Sequence, residues 1–567
     1  MINGTERILV CCGHQCAKNS ALEIASAIEE ELARRDGHDV SSVEVVHVGC
    51  VGECDQGPIV RFMPRDITYY RVSAKHVAAI VDSLYGEPVK KLLFRKKRQH
   101  FEKLSENPFF GLQHRVALKH VGAIDPSSID DYIAHGGYAV LKNAQSNPYL
   151  NTLAELQKSG LRIKCRASSS LEPTWPETGC QAPQRIVCKV NMNDCDSPVG
   201  ITLAEGSPHA LVEGMAVAMH ATKANKGIFF IRQEDASAYG ALQRAIEDAC
   251  VSEVLGMSSS RIECRIAHSE PDCDDDAPAN ATLALVAETL AAIPVVLSER
   301  LEHHNSEDRA ESMETKAFAL EGKAKHIGFV ETPMGTSLRT LIFKIGGGIA
   351  SDRPLKAVEI GGPAGSYLPE SLIDLPIDFD SFAELGIPIN AGSVNVLDDR
   401  TCIVKAVRDS IQQLCAQNPD ASSANRENFH RAIALLEGLC AGAGGMDDVE
   451  RLQLIGLSMR DAATNRFERR AANSLLSSIE HFRDEFEAHA CEKRCPAGSC
   501  PKLTQFVISP EACAGCDACT DACPAKAIIG EQREPHVIDC EKCISCGTCR
   551  DVCRFHAVLT EQRSLQG

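Results

Sequence analysis

The chain has no excess of positive charge, no basic leader and no long apolar run. Its 59 Lys and Arg are outnumbered by 77 Asp and Glu, giving a formal net charge of −18. Nucleic acid and anionic membrane surfaces are therefore poor partners. The N-terminus, MINGTERILVCC, lacks the basic region and apolar core of a signal peptide. The longest apolar stretch, Ala281 to Leu297, is broken by Glu288 and is too short to span a bilayer. These absences lead us to expect a cytoplasmic chain with no direct membrane insertion.

Cysteine is what the chain does have, 27 of them in 567 residues. In an unexported chain that number points to metals and clusters, not disulfides. The length suggests three or four domains at about 150 residues each. A hydrophobic content of 44% is ordinary for a core-forming chain.

The last part of the sequence carries two C-x2-C-x2-C-x3-C runs: Cys513, Cys516, Cys519 and Cys523, then Cys543, Cys546, Cys549 and Cys553. This is the ligand pattern of a ferredoxin module with two [4Fe–4S] clusters, in which the fourth cysteine of each run reaches the other cluster. The pattern assigns Cys513, Cys516, Cys519 and Cys553 to one cube, and Cys543, Cys546, Cys549 and Cys523 to the other. Zinc ribbons use two spaced C-x2-C pairs and fit poorly.

A second set opens the chain. Cys11 and Cys16 are separated by four residues, Cys50 and Cys54 by three. Between them Ser20–Arg35 reads as a helix with Leu22, Ala25, Ile28 and Leu32 on one face. Val43–Val48 reads as a buried strand, Ile59–Phe62 and Ile67–Val72 as a hairpin, and Val77, Ile80, Val81 and Leu84 as a closing helix. That order is thioredoxin-like and brings both pairs to one end. Four thiolates there suit a [2Fe–2S] cluster, with Cys12 left over as a structural thiol. A dithiol redox domain is the competing reading, but it normally uses C-x-x-C.

Five segments carry a family resemblance: PFFGLQHRVALKHVGAIDPSSIDDYIAHGGYAVLKNA (108–144), SPHALVEGMAVAMHA (207–221), ETPMGTSLRTLIFKIGGGI (331–349), IGGPAGSYLPESLIDLPIDFDSFAE (360–384) and EKRCPAGSC (492–500). With both cluster domains, the chain resembles the NADH-binding flavoprotein subunit of respiratory complex I and of electron-bifurcating iron hydrogenases, the hydrogenase form above all. The resemblance implies a multidomain α/β chain. Its parts are a thioredoxin-like [2Fe–2S] domain (1–95), an FMN/NADH-binding-type α/β domain (96–325), a β-grasp domain (326–400), a helical bundle (401–490) and a C-terminal segment with the two-cluster ferredoxin domain (491–567).

Two family features are missing. The flavin loop of the family reads S-G-L-R-G-R-G-G-A-G-F-P-T-G-L-K-W, whereas Ser159–Trp175 reads SGLRIKCRASSSLEPTW. Ile163, Cys165, Arg166 and Ser168 stand where glycines are expected. Glycine there permits positive φ and close approach of backbone N–H groups to phosphate and ring. Each replacement forced into that geometry costs about 1 kcal/mol or more. Met192 replaces an acidic flavin contact, and the chain between Cys250 and Val330 is short. The family's C-G-K-C-x-x-C motif after Thr401 is also absent: IQQLCAQNPDASSANRENFH offers Cys415 alone, and Asp447–Glu480 contains no cysteine. One thiolate does not hold a cube. The reading is a degenerate flavoprotein domain without FMN or NADH and a bundle without its cluster.

The RCPAGSC segment matches the hydrogenase-type member, where it implies a metal staple. Cys495, Cys500, His489 and His536 are the candidate zinc ligands, with Cys491 a rival to His489 and a pair of buried thiols the plainer alternative. Cys165, Cys180, Cys188 and Cys195 have irregular spacing and read as inert thiols. The acidic run Asp272, Asp274, Asp275 and Asp276 reads as a solvated loop, and Glu299–Glu314 as an exposed helix or linker. Glycines at 346–348 and 361–365 read as β-grasp turns.

The expected function is an iron–sulfur electron-transfer subunit of a multisubunit oxidoreductase, with no catalytic residue of its own. Its expected partners are a genuine flavoprotein subunit, a catalytic hydrogenase- or dehydrogenase-type subunit, and soluble ferredoxin. The alternatives are an active FMN-containing NADH dehydrogenase with a remodelled site, using the hydroxyls of Ser168, Ser169 and Ser170 for phosphate, and a structural scaffold.

Overall fold

The computed structural model describes residues 6–35, 43–96, 98–162, 175–176, 183–190, 198–256, 261–267, 282–302, 314–362, 365–387, 392–417, 423–463 and 466–563. Chain contacts divide it into two units. The first comprises Met1–Ala350 with Asp374–Val394, and the second Ser351–Ile373 with Asn395–Gly567.

The first unit begins with β1 (Arg7–Cys11), α1 (Ala21–Ala33), β2 (Glu44–Val48), β3 (Val60–Met63), β4 (Ile67–Tyr69) and α2 (Val77–Asp82). The sheet order is β2-β1-β3-β4, with β1 parallel to β2 and antiparallel to β3. Ile8, Leu9, Val10 and Cys11 are all buried, so β1 is a central strand. The buried stripe of α1 is Ala21, Ile24, Ala25 and Ile28, one step from the expected face, and Leu22 is exposed.

A second sheet follows. Helix α3 (Tyr149–Lys158) precedes β5 (Arg185–Lys189), α4 (Pro198–Gly206), α5 (Pro208–Thr222), β6 (Lys226–Arg232), α6 (Ala236–Val251), β7 (Ile262–Ala267), β8 (Thr282–Leu285) and α7 (Ala287–Glu302). The strands are parallel in the order β8-β5-β6-β7. Helix α5 is almost wholly buried, Leu211, Met215, Ala218 and Met219 together with the polar His209 and Glu213. The residue types at its start predict Ser207 as a cap. Instead, the Ser207 Oγ has no hydrogen-bond partner and Pro208 alone sets the first turn. The buried Glu213 accepts from Tyr132 Oη and from the backbone N–H of Tyr138 and Leu141. Strands β9 (Thr315–Gly322) and β10 (Gly328–Pro333) pair antiparallel. Glu331 on β10 accepts from the N–H groups of Val116, Ala117 and Leu118 and from Thr315 Oγ1, which fixes the turn that follows Arg115.

In the second unit β11 (Leu355–Ile360) and β12 (Ser366–Pro369) form an antiparallel pair. After β13 (Ser393–Asp398) come α8 (Ile403–Gln417), α9 (Ser423–Ala441), α10 (Met446–Asp461), α11 (Arg466–His481) and α12 (Arg483–Ala490). Val407, Ile411, Phe429, Leu436, Leu452, Leu475 and Phe486 share one core. The chain ends in β14 (Thr504–Ile508), two cysteine loops joined by the short pair Ile528–Ile529 and Val537–Ile538, and β15 (Val558–Gln562), which returns antiparallel to β14. Among the described residues no helix is long and apolar enough to cross a membrane.

Candidate metal centres

The thioredoxin-like sheet places Cys11 at the end of β1 and Cys50 just after β2. Cys16 lies on the short helix His14–Lys18, and Cys54 opens a turn. The Cys50 and Cys54 sulfurs lie 3.7 Å apart. A Cβ on Gly13 would lie 2.7 Å from Cys50 Cβ, and one on Gly57 would lie 2.5 Å from Cys16 Sγ. Glycine at these positions is what lets the loops close on the thiols. The Cys11 thiol is pushed well down, first by hydrogen bonds from Cys16 and Cys50, and Val51 N–H also donates to its sulfur at 3.4 Å. A thiolate-forming group of four at one end of a sheet has the donor set of a [2Fe–2S] centre. Cys12 faces the carbonyl of Val10 at 3.5 Å, and burial raises its thiol to about 12.

The surrounding scaffold holds this loop tightly. Cys54 N–H donates to Ile327 O at 3.0 Å and Phe329 N–H to Gly52 O at 2.7 Å. Glu53, Asp55 and His326 come together beside it. Glu53 pairs with His326 Nδ1 at 3.0 Å and accepts from Asn107 Nδ2 at 2.7 Å, while Asp55 accepts from Ile327 N–H.

In the C-terminal module two cavities separate the eight cysteines into groups of four. One is lined by Cys543, Cys546, Cys549 and Cys523, with Phe506 and Ile528. The other is lined by Cys513, Cys516, Cys519 and Cys553, with Ile508 and Phe555. The fourth cysteine of each run crosses over because it follows a short helix, Ala518–Ala522 or Thr548–Val552, that carries the chain to the other cavity. Backbone N–H groups point at sulfur in both halves: Ala527 to Cys523 and Ala557 to Cys553, each at 3.3 Å. Donors of this kind favour thiolate over thiol.

The third group lies in the bundle. Cys402, His489, Cys495 and Cys500 are all buried, with ligand atoms within 4.8 Å of one another. Cys402 Sγ is 3.7 Å from Cys500 Sγ, and His489 Nε2 is 3.4 Å from Cys402 and 3.5 Å from Cys500. A tetrahedron with Zn–S of about 2.3 Å and Zn–N of about 2.05 Å has S···S edges of about 3.8 Å and S···N edges of about 3.6 Å. The residues fit that ion. His489 Nδ1 bonds Glu485 O at 2.8 Å, which leaves Nε2 to face the thiols, and the Glu485 carboxylate accepts from Ile403 N–H beside Cys402. Cys495 is held far below the usual thiol range, first by a hydrogen bond from Cys402 and then by one from Cys500. Cys440 borders the group and is lowered, also first by Cys402.

His536 does not join these ligands. Its Nε2 bonds Asp517 Oδ1 at 2.9 Å and its Nδ1 lies 4.0 Å from Cys513 Sγ, so the imidazole belongs to the ferredoxin module. Cys402, which sequence reasoning left out, takes the fourth place. Cys491 is exposed and stands apart.

Comparison with known proteins matches the two cluster domains. The family described as thioredoxin-like [2Fe-2S] ferredoxin matches residues 2–85, and the 4Fe-4S dicluster domain matches residues 505–554. The NADP-reducing hydrogenase subunit HndC of Solidesulfovibrio fructosivorans is 31% identical over 457 residues, covering 75% of this chain and 93% of its own length. The chain belongs to the HndC family. The F 2 subunit of the NADH-quinone oxidoreductase of Rhizobium meliloti (strain 1021) is 27% identical over 415 residues, covering 67% of this chain and 99% of its own. The crystal structure of an NAD+-reducing [NiFe]-hydrogenase in the H2-reduced state shares the fold, with a TM-score of 0.53 at 17% identity over 86% of this chain and 84% of that one. As a member of the HndC family, this is an iron–sulfur subunit of a hydrogenase- or NADH dehydrogenase-type complex.

Within the HndC-type scaffold Trp175 is buried, and its indole N–H donates to Leu161 O at 2.7 Å. Cys188 is a core residue of β5. The replaced flavin-loop residues 163–174, Met192, Cys165, Cys180, Cys195 and the acidic run Asp272–Asp276 lie outside the described residues, as does most of Glu299–Glu314.

Proposed function

We propose that this chain relays single electrons within its complex through one [2Fe–2S] and two [4Fe–4S] centres and holds neither FMN nor NADH. When bound, the clusters supply one-electron acceptors that carry no hydride. The residues that would hold them are Cys11, Cys16, Cys50 and Cys54; Cys513, Cys516, Cys519 and Cys553; and Cys543, Cys546, Cys549 and Cys523. The observation that carries the electron-transfer reading is the separation of the C-terminal cysteines into two groups of four, each completed by the other run.

The loss of the hydride-accepting step rests on Ser159–Trp175, where side chains replace the glycines a flavin phosphate and ring would require. The loss of the central cluster rests on the bundle's thiols. Cys402, Cys495 and Cys500 converge with His489 as a structural zinc site, and Cys440 borders them, leaving Cys415 and Cys491 apart. Such a chain depends on neighbours: a flavoprotein subunit to accept hydride, and a catalytic hydrogenase- or dehydrogenase-type subunit or a soluble ferredoxin to exchange electrons.

The test is acid release of flavin from the purified full chain, combined with NADH addition under anaerobic conditions. No released FMN and no NADH-dependent bleaching, alongside bleaching by dithionite, is the expected result. Stoichiometric FMN with NADH bleaching would instead establish the active-dehydrogenase reading.

A further inference from the structure

Arg115 lies on the turn after the short helix Pro108–Gly111, beside the N-terminal thiol group. Its Nη1 donates to Val51 O at 3.1 Å, and Val51 N–H in turn donates to Cys11 Sγ. The guanidinium lies 5.9 Å from the centroid of the Phe110 ring. A Cβ built on Gly52 would lie 3.5 Å from Arg115 Nη2, so the cation sits against the backbone of the Cys50–Cys54 loop. Nε and Nη2 are both shielded from solvent and have no hydrogen-bond partner.

The carboxylates nearby are already engaged. Glu331 receives three backbone N–H groups and the Thr315 hydroxyl. Glu53 is held by Asn107 and His326, and Asp55 by Ile327 N–H. Burial pulls the Arg115 pKa down, and the charges of Glu331 and then Cys50 oppose that pull. A shielded cation calls for compensating anions, and the charges of Glu331 and Cys50 offset its burial only in part, with Arg61 acting against them. Four thiolates around iron and sulfide form an anionic group that fits this role. One-electron reduction makes it more negative by one charge, with no bond made or broken.

We infer that Arg115 sets the potential of the N-terminal [2Fe–2S] centre, its guanidinium stabilising the reduced form while its bond to Val51 O fixes the ligand loop. The inference rests on the [2Fe–2S] reading above. Its chemistry is electrostatic. Removing the positive charge disfavours the added electron, whereas a second cation at the same place preserves it.

The experiment is an EPR-monitored dithionite titration of the full chain and of its Arg115→Gln and Arg115→Lys variants. In Arg115→Gln the [2Fe–2S] signal becomes at least tenfold harder to reduce, a midpoint lowered by at least 59 mV for one electron. In Arg115→Lys less than half of that shift remains, and the [4Fe–4S] signals stay where they were in both. Loss of the [2Fe–2S] signal in the Gln variant alone also supports the charge role. An unchanged midpoint in Arg115→Gln, equal shifts in both variants, or loss of the centre in both would overturn it. Absence of any [2Fe–2S] signal from the unsubstituted chain would sink the underlying reading instead.

Discussion

The sulfur of Cys402 lies 3.4 Å from Nε2 of His489, 87 positions further along the chain. One helix terminus carries each of them, and Glu485 ties the two together through its carbonyl and its carboxylate. The three distances among Cys402, Cys500 and His489 match the edges of a zinc tetrahedron, and Cys495 lies within 4.8 Å of all three. Bound zinc would therefore clamp the start of α8 to the end of α12.

The purified chain should accordingly contain about one zinc. Cys402→Ser should bring that close to zero and lower the midpoint of bundle unfolding, because metal affinity at such a site is folding free energy. Cys415→Ser should keep the metal. Elemental analysis with thermal unfolding checks both, and zinc retained in Cys402→Ser would refute the ligand assignment.

Crossed ligation makes a reciprocal prediction in the ferredoxin module. Cys523→Ser should abolish or convert the cluster held by Cys543, Cys546 and Cys549, and leave its neighbour intact. Cys553→Ser should do the opposite. Spin quantitation and relaxation behaviour by EPR distinguish the two, and damage confined to the cluster of the mutated run's own first three cysteines would show that the fourth ligand does not cross.

Glu331 is a stability anchor for the turn that presents Arg115. Glu331→Gln turns an acceptor into a donor facing backbone N–H groups and leaves at least one of them unsatisfied. The expected loss is about 1–3 kcal/mol, measured by denaturant unfolding. Burial raises the Glu331 pKa, while the Thr315 hydroxyl and the N–H groups of Leu118 and Ala117 work against that rise.

His209 gives the first unit a pH dependence. Burial lowers its pKa from 6.5 to about 4, and its Nδ1 bonds Tyr138 Oη at 3.0 Å. The depressed value means that the unfolded chain takes up a proton below pH 6.5 that the folded chain refuses. This contribution is complete above the unfolded value and is lost as pH falls toward the folded one. Between pH 7.5 and 5.5 the unsubstituted chain should lose about 1.4 kcal/mol through this group. His209→Phe should remove that share of the slope, and an identical slope in thermal unfolding would contradict it.

Ligands close together in sequence were the readable ones. The two four-cysteine runs and the Cys11/Cys16 and Cys50/Cys54 pairs declare themselves, because a ligand loop is local and its spacing is set by the cluster. Cys402 does not, since the packing of α8 against α12 brings it to His489 and no spacing rule spans that distance. His536 misled for the opposite reason: it is near the right cysteines in sequence, but Asp517 claims its ring. Arg115 lies in the family-like segment 108–144, but nothing in that segment's residue types marks it as a cluster neighbour, and its meaning comes from which of its nitrogens find partners in the fold. At the level of elements, the helix face read from the sequence held Ala25 and Ile28, which are buried, and Leu22, which is exposed.

Counting metal and flavin on the full chain, purified anaerobically with its clusters, tests the account most directly. About ten iron atoms and about one zinc per chain, with no flavin released on denaturation, is the predicted result. One FMN per chain would contradict the claim that this member of the family relays electrons without accepting hydride.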